Sequence, residues 1–259
     1  MFDQERFDTY VDSLSADLPE PLDRLEQEAL AAGVPIIRKG TQSLLSFLLH
    51  RDKPQNVLEV GTAVGFSALF MKAHLPEGSR ITTIEKVEMR LVEARKNLAA
   101  YDPEGQITLL EGEAQEILER LARERPGSFS FIFMDAAKGQ YPYFLPPVLA
   151  LLAEDGMLVS DNILQEGDIL ESRYALVRRD RTIHSRMREY LYTLTHTPGL
   201  RTVLLQVGDG MALTIREQKR NEKKGGQADR RFWNQKEGKQ ERNQRNESEE
   251  KTGAFNAGK

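Results

Sequence analysis

The stretch 56-NVLEVGTAVGFSA-68 changes character halfway along. Asn56–Val60 is a short apolar run with two valines, and it stops at glycine, which reads as a buried strand. The residues after Gly65 read as a helix reaching about His74. Between them lies Gly61-Thr62-Ala63-Val64-Gly65, where two glycines let the backbone turn tightly and approach a ligand closely. Strand, glycine turn and helix make the opening of a βα unit.

The unit repeats downstream. Residues 81–85, 107–110, 128–134 and 156–160 read as further strands. Residues 88–100, 114–123 and 143–152 read as the helices between them. Such alternation predicts an α/β fold with a doubly wound, mostly parallel sheet covered on both faces. A helix over 184–197 follows. Two last strands, 201–206 and 211–215, flank Val207-Gly208-Asp209-Gly210 and predict a terminal antiparallel hairpin, for seven strands in all. Residues 1–50 read as helices, with Leu14, Leu18, Leu22, Leu25 and Leu30 near helical spacing around Pro19 and Pro21, and a further helix after Pro35. The expected organisation is N-terminal helices 1–50 packed on a domain spanning 51–216, followed by a charged segment, 217–259.

That last segment is nearly free of aliphatic residues and is expected to be disordered. From Arg216 onward there are 13 basic and 8 acidic residues, whereas the rest of the chain carries a net charge of −9. The overall −4 therefore conceals an acidic body with a basic end. Phe232 and Trp233, among Arg230, Arg231 and Lys236, would suit a weak RNA-contacting arm as well as a solvated tail. The chain has no cysteine, which excludes disulfides, zinc-thiolate sites and cysteine nucleophiles. Its charged N-terminus and the lack of any apolar run approaching ~18 residues lead to the expectation of a soluble cytoplasmic protein with no membrane partner.

Ligands of open α/β sheets bind at the carboxyl ends of the strands. The first strand leads through Glu59 into the Gly61–Gly65 turn and Ser67; the second ends on Glu85, placed to accept hydrogen bonds from both hydroxyls of a ribose. The third leads into Glu111-Gly112-Glu113-Ala114, suited to the edge of an adenine. Neither G-x-G-x-x-G nor the P-loop pattern is present, and the turn lacks the extra glycine that admits a pyrophosphate. A nucleoside with a short charged tail, S-adenosylmethionine, fits better than NAD or ATP. The fourth strand ends on Asp135 and the fifth on Asp161-Asn162. Two carboxylates and an amide carbonyl are hard oxygen ligands suited to Mg²⁺ (or Mn²⁺). The four histidines, His50, His74, His184 and His196, show no ligand spacing and read as surface or helix-face residues. Lys138, three residues after Asp135, can turn its amine toward the same place because Gly139 lets the loop bend. An amine there could take or share the proton of a metal-bound hydroxyl.

LEVGTAVGFSA, TIEKVE, GEA, FIFMDAAKGQY and VSDNIL follow one another in the order found in the metal-dependent class I O-methyltransferases of the catechol and caffeoyl-CoA type. The chain resembles that family from about Val34 to Ile215. Within it, VPI at 34–36, the GTAVGFSA turn and DAAKGQY are most similar to the bacterial tRNA 5-hydroxyuridine methyltransferases. The resemblance implies a Rossmann-like methyltransferase sheet. It implies a cofactor pocket of Ile37, Glu59, Gly61, Gly65, Ser67, Glu85, Glu113, Ala114, Asp135 and Tyr141, metal ligands Asp135, Asp161 and Asn162, and Lys138 with Asp135 as the catalytic pair. Glu113 departs from the family's usual aspartate by one methylene. A homodimer is also implied.

The resemblance further implies O-methylation of 5-hydroxyuridine to 5-methoxyuridine at the tRNA wobble position, since the 5-hydroxyl and O4 can chelate a metal as a catechol does. Arg173, Arg178, Arg179, Arg181, Arg186 and Arg188 follow the metal-binding pair and would suit the phosphates of a tRNA anticodon region. Asp168, Glu171, Asp180 and Glu189 offset part of that charge. A small-molecule catechol O-methyltransferase and a non-catalytic RNA-binding protein on the same fold are the competing readings.

Overall fold

The structure, a computed structural model, describes residues 4–217; the expected disorder of the charged segment lies outside these residues. Its elements run α1 (Gln4–Ser13), α2 (Glu20–Ala31), α3 (Lys39–Asp52), β1 (Asn56–Val60), α4 (Phe66–Ala73), β2 (Arg80–Glu85), α5 (Glu88–Tyr101), β3 (Ile107–Glu111), α6 (Ala114–Glu124), β4 (Phe129–Met134), α7 (Tyr141–Leu151), β5 (Leu152–Ser160), α8 (Arg181–His196), β6 (Leu200–Leu205) and β7 (Met211–Arg216). The seven strands form one sheet in the order β3-β2-β1-β4-β5-β7-β6. All pairs from β3 to β5 are parallel, and β7 runs antiparallel to both β5 and β6.

This order fixes where a ligand can sit. β1 lies between β2 and β4, with Val60 opposite Ile84 on one side and Met134 on the other. Connections from β1 lead outward to β2 and β3, whereas those from β4 lead the opposite way to β5. The loops after β1 and β4 therefore diverge and leave a crevice between them.

Strand side chains alternate between the two faces, and here both faces are buried. Val57, Ile81, Phe131, Phe133 and Val159 pack with α2, α3, α4 and part of α5. Leu58, Val60, Ile84, Ile132, Met134 and Leu158 pack with α6, α7 and α8. Leu22, Leu25, Leu45, Leu48 and Leu49 of α2 and α3 share a core with Phe66 and Phe70 of α4. Leu14 and Leu30, expected on the same helical stripe, are instead exposed.

Three differences from the sequence expectation matter most; smaller shifts move the start of α7 to Tyr141 and that of α8 to Arg181. α3 begins at Lys39, so residues 34–38 run non-helical from Pro35 onward and bring Ile37, 4 % exposed, to the crevice. β5 begins at Leu152, directly after α7. The expected strand starts only at Gly156; Glu154 and Asp155 are exposed, and a register shift between Phe129 and Phe131 accommodates them within β5. Finally, Lys138–Gln140 form a single 3₁₀ turn of their own ahead of α7. Among the described residues, no helix is long and apolar enough to cross a membrane.

Candidate active site

The crevice after β1 opens into a cavity of about 510 Å³, in the size range of small-molecule sites. Its back is the turn predicted from the glycines. The amides of Gly61 and Thr62 both donate to the carbonyl of Ile84, at 3.1 Å. Gly61 has φ +107°, and a Cβ there would stand 2.0 Å from the carbonyl oxygen of Asp135. The chain needs glycine at 61 because β1 and β4 exit through the same space. Ala63 is left-handed, φ 46°, and its amide donates to Oε2 of Glu85 at 2.9 Å. Oε1 of Glu85 accepts the amides of Lys86 and Val87, both at 2.9 Å. Three backbone donors hold this carboxylate at the cavity wall, so it is oriented before any ribose arrives.

Of the sequence-predicted cofactor residues, Ile37, Gly61, Ser67, Glu85, Glu113, Ala114 and Asp135 line the cavity. Lys86 reaches Glu113 at 3.1 Å across its rim. Glu59, Gly65 and Tyr141 lie outside the lining. Gly65, φ 88°, ends the turn as the N-cap of α4. Tyr141 is fully buried; its hydroxyl lies 2.9 Å from the carbonyl of Met134, beneath Lys138.

Glu59 is completely buried behind the turn, with one carboxyl oxygen accepting the Thr83 hydroxyl and the other, Oε1, without a hydrogen-bond partner. Burial, aided by the charges of Asp135 and Glu85, pushes its carboxyl up to about 7. A carboxyl raised from its ordinary 4.5 stabilises the fold fully below pH 4.5 and loses that contribution as pH rises to about 7. Glu59→Gln should therefore gain stability over the unmodified protein across that window, by on the order of 3 kcal/mol at pH 8. Urea unfolding of both proteins at pH 4.5, 6 and 8 measures it; parallel stability curves would show that Glu59 is charged in the folded protein.

The opposite corner carries the charged cluster. Lys138 Nζ lies 2.7 Å from Oδ1 of Asp135, 3.1 Å from the Tyr141 hydroxyl and 3.3 Å from the carbonyl of Asp161. The Asn162 side-chain amide donates to the same Oδ1 at 3.1 Å, with Asn162 in the left-handed region at φ 54°. Asp161 is 1 % exposed, and its Oδ1 accepts the Asn162 amide at 2.8 Å and lies 3.4 Å from the Thr41 hydroxyl. Burial and the neighbouring charge of Asp135 push the Asp161 carboxyl up to about 7. The site thus gathers two carboxylates and an amide around one lysine. Its hard oxygen donors fit a divalent cation. No group of three His, Cys, Asp or Glu side chains that could hold a metal occurs among the described residues; the side-chain amide that joins the two carboxylates at this corner is that of Asn162.

The loop does bend and turn the Lys138 amine toward Asp135, but through a 3₁₀ turn in which Gly139 has no positive φ. What marks Gly139 is its carbonyl, which accepts Nη1 of Arg186 at 3.0 Å. The arginine group accordingly divides. Arg186 is committed to that contact, and Arg181 donates Nε to the carbonyl of Leu176 at 3.0 Å. Arg173, Arg178 and Arg188 are exposed, and Arg179, 88 % exposed, lies 3.4 Å from Asp180. His184 proves buried, with Nε2 against the carbonyl of Glu171. Sequence reasoning missed Thr41 and Tyr190, whose hydroxyl lies 2.6 Å from that of Ser160, and the internal contact of Arg186, which it places among RNA-contacting residues. None carries a local signal: α3 and α8 bring them from far along the chain.

Comparison with known proteins agrees with this architecture. The O-methyltransferase family model matches residues 12–217. The catechol O-methyltransferase of Niastella koreensis is 28 % identical over 217 residues, 82 % of this chain and 96 % of that protein. The caffeoyl-CoA O-methyltransferase of Eucalyptus gunnii is 28 % identical, over 77 % of this chain and 82 % of its own. A Staphylococcus aureus crystal structure described as a caffeoyl-CoA O-methyltransferase superposes with a TM-score of 0.75 at 29 % identity, covering 83 % of this chain and all of that one. The chain belongs to the O-methyltransferase family and is an S-adenosylmethionine-dependent enzyme of the catechol and caffeoyl-CoA type.

Proposed function

We propose that the enzyme methylates one hydroxyl of an acceptor that presents two adjacent oxygens, using a divalent cation held by Asp135, Asp161 and Asn162. The observation that carries this reading is one corner where two carboxylates, an amide and Lys138 meet, three of the four lining a cavity that also holds Glu85. A divalent cation held by these residues would supply Lewis acidity that lowers the pKa of the acceptor hydroxyl. S-adenosylmethionine supplies a methyl on a sulfonium sulfur; the C–S bond breaks as the C–O bond forms, leaving a neutral thioether. Lys138 reaches the same corner, where its Nζ donates to Asp135, the Tyr141 hydroxyl and the Asp161 carbonyl; it takes the hydroxyl proton only after releasing one of its own to solvent. Glu85, fixed by three amides, orients the ribose, and the Gly61 turn admits the cofactor's tail. The protein contributes chiefly orientation and tuning of the nucleophile.

The acceptor we assign is 5-hydroxyuridine in tRNA, converted to 5-methoxyuridine. Its 5-hydroxyl and O4 meet the requirement for adjacent oxygens. The segment following Asn162 exposes Arg173, Arg178 and Arg179 around Tyr174, which is 85 % exposed. Guanidinium groups interleaved with an aromatic ring suit phosphates and a splayed base. A small catechol is the second reading, favoured by the Niastella relative and by the commitment of Arg181 and Arg186 to internal contacts. Purified enzyme should form 5-methoxyuridine on tRNA containing 5-hydroxyuridine, with kcat/KM falling steeply as salt is added. Replacing Arg173, Arg178 and Arg179 together by alanine should raise the KM for tRNA about tenfold and flatten that dependence. Efficient turnover of catechols with no 5-methoxyuridine formed would establish the second reading instead.

A further inference from the structure

We infer that Arg186 is a positioning residue for Lys138, acting through the backbone of the turn that carries it; this rests on the reading of Lys138 as the proton acceptor. Lys138–Gln140 is one 3₁₀ turn, lacking any side-chain cap. A turn of three residues has little rigidity of its own. Its internal fixings are backbone bonds from Gln140 to Ala137 and from Tyr141 to Lys138. The bond to its middle carbonyl comes from outside, from Nη1 of Arg186 on α8, a charged donor at 3.0 Å. The same guanidinium stacks over the Tyr143 ring at 5.1 Å, which limits its freedom from the other side.

One helical turn further along α8, Tyr190 is fully buried with its ring edge-on to Tyr141 at 5.2 Å. Tyr141 is the residue whose hydroxyl meets the Lys138 amine. Residues four apart share a helix face. α8 therefore supports Lys138 twice, through the backbone of its turn by Arg186 and through the phenol beneath its amine by Tyr190. Arg186 was expected among RNA-contacting arginines; its hydrogen bond points it at the catalytic turn instead.

Without Arg186 the turn can drift, and a displacement of the order of 1 Å at a reacting group costs about a hundredfold in rate. Arg186→Ala should lower kcat about ten- to hundredfold per S-adenosylmethionine-binding site counted by calorimetry. KM for the acceptor and affinity for S-adenosylmethionine should stay within about twofold. Arg186→Lys, which can still donate to the Gly139 carbonyl, should recover part of the loss. In a Lys138→Met background, Arg186→Ala should cost less than about twofold more, because it acts through the missing amine. The Lys138→Met arm by itself tests the proton-acceptor reading. The Arg186 proposal fails separately: if Arg186→Ala keeps its kcat while the KM for tRNA rises, or if the two losses multiply.

Discussion

Gly61→Ala should destabilise the protein by about 2–6 kcal/mol and abolish measurable S-adenosylmethionine binding. The added methyl would lie 2.0 Å from the carbonyl oxygen of Asp135, which is backbone and cannot swing aside. Overpacking of this kind costs about 1–3 kcal/mol, and holding a side chain at such a φ adds about 1–3 more. The strain falls on the turn that forms the cavity's back and on the strand end carrying Asp135, so binding fails together with stability. Gly127→Ala is the control. Gly127 also has positive φ, +65°, but nothing lies within 4 Å of its absent side chain. It should cost only about 1–2 kcal/mol and leave binding intact. Denaturant unfolding and calorimetry on the two variants give the comparison; equal losses would mean that the close approach to Asp135 carries no special weight.

The second large effect is catalytic. Lys138→Met keeps much of the side chain's length and its apolar stem but removes the amine. General acid–base groups contribute about 10²- to 10⁴-fold, and kcat should fall by that amount. Affinity for S-adenosylmethionine should scarcely change, because the contacts of Glu85 and the Gly61 turn remain. The fold should tolerate the change: the lysine is half-buried in the corner rather than part of the apolar core. Wild-type kcat in a folded Lys138→Met enzyme would assign the proton to solvent or to another group.

How much of this could be read from the chain follows from where each interaction is encoded. Strands buried on both faces announce themselves as apolar runs, and β1 and the ends of β2 and β4 fall where those runs stop. The residues that end them, Glu85 and Asp135, face the crevice for the same local reason, so the cavity wall was legible. Glu59 was placed in the pocket because it adjoins the turn. Strand alternation sends it behind the turn instead, where it is buried against Thr83. The turn of Lys138–Gln140 was read as a loop bent by glycine, since three residues carry no periodicity. Its support from Arg186, and that of Asp161 from Thr41, join positions 47 and 120 residues apart. Such pairings depend on how α3 and α8 dock on the sheet, and sequence patterns of period 2 or 3.6 hold no record of them. The arginines show the limit most clearly: six in one region read as one basic patch, and only packing separates those that hold the protein together from those left facing solvent.

In the mechanism proposed above, O-methylation depends on a divalent cation seated on Asp135, Asp161 and Asn162. The most direct test of that dependence is methyl transfer to a catechol and to 5-hydroxyuridine-containing tRNA by protein stripped of metal and assayed in excess EDTA, then after Mg²⁺ is restored. Whichever acceptor is used by the untreated enzyme, transfer should cease in EDTA and recover with Mg²⁺ or Mn²⁺. Undiminished transfer by the metal-free protein would contradict the mechanism.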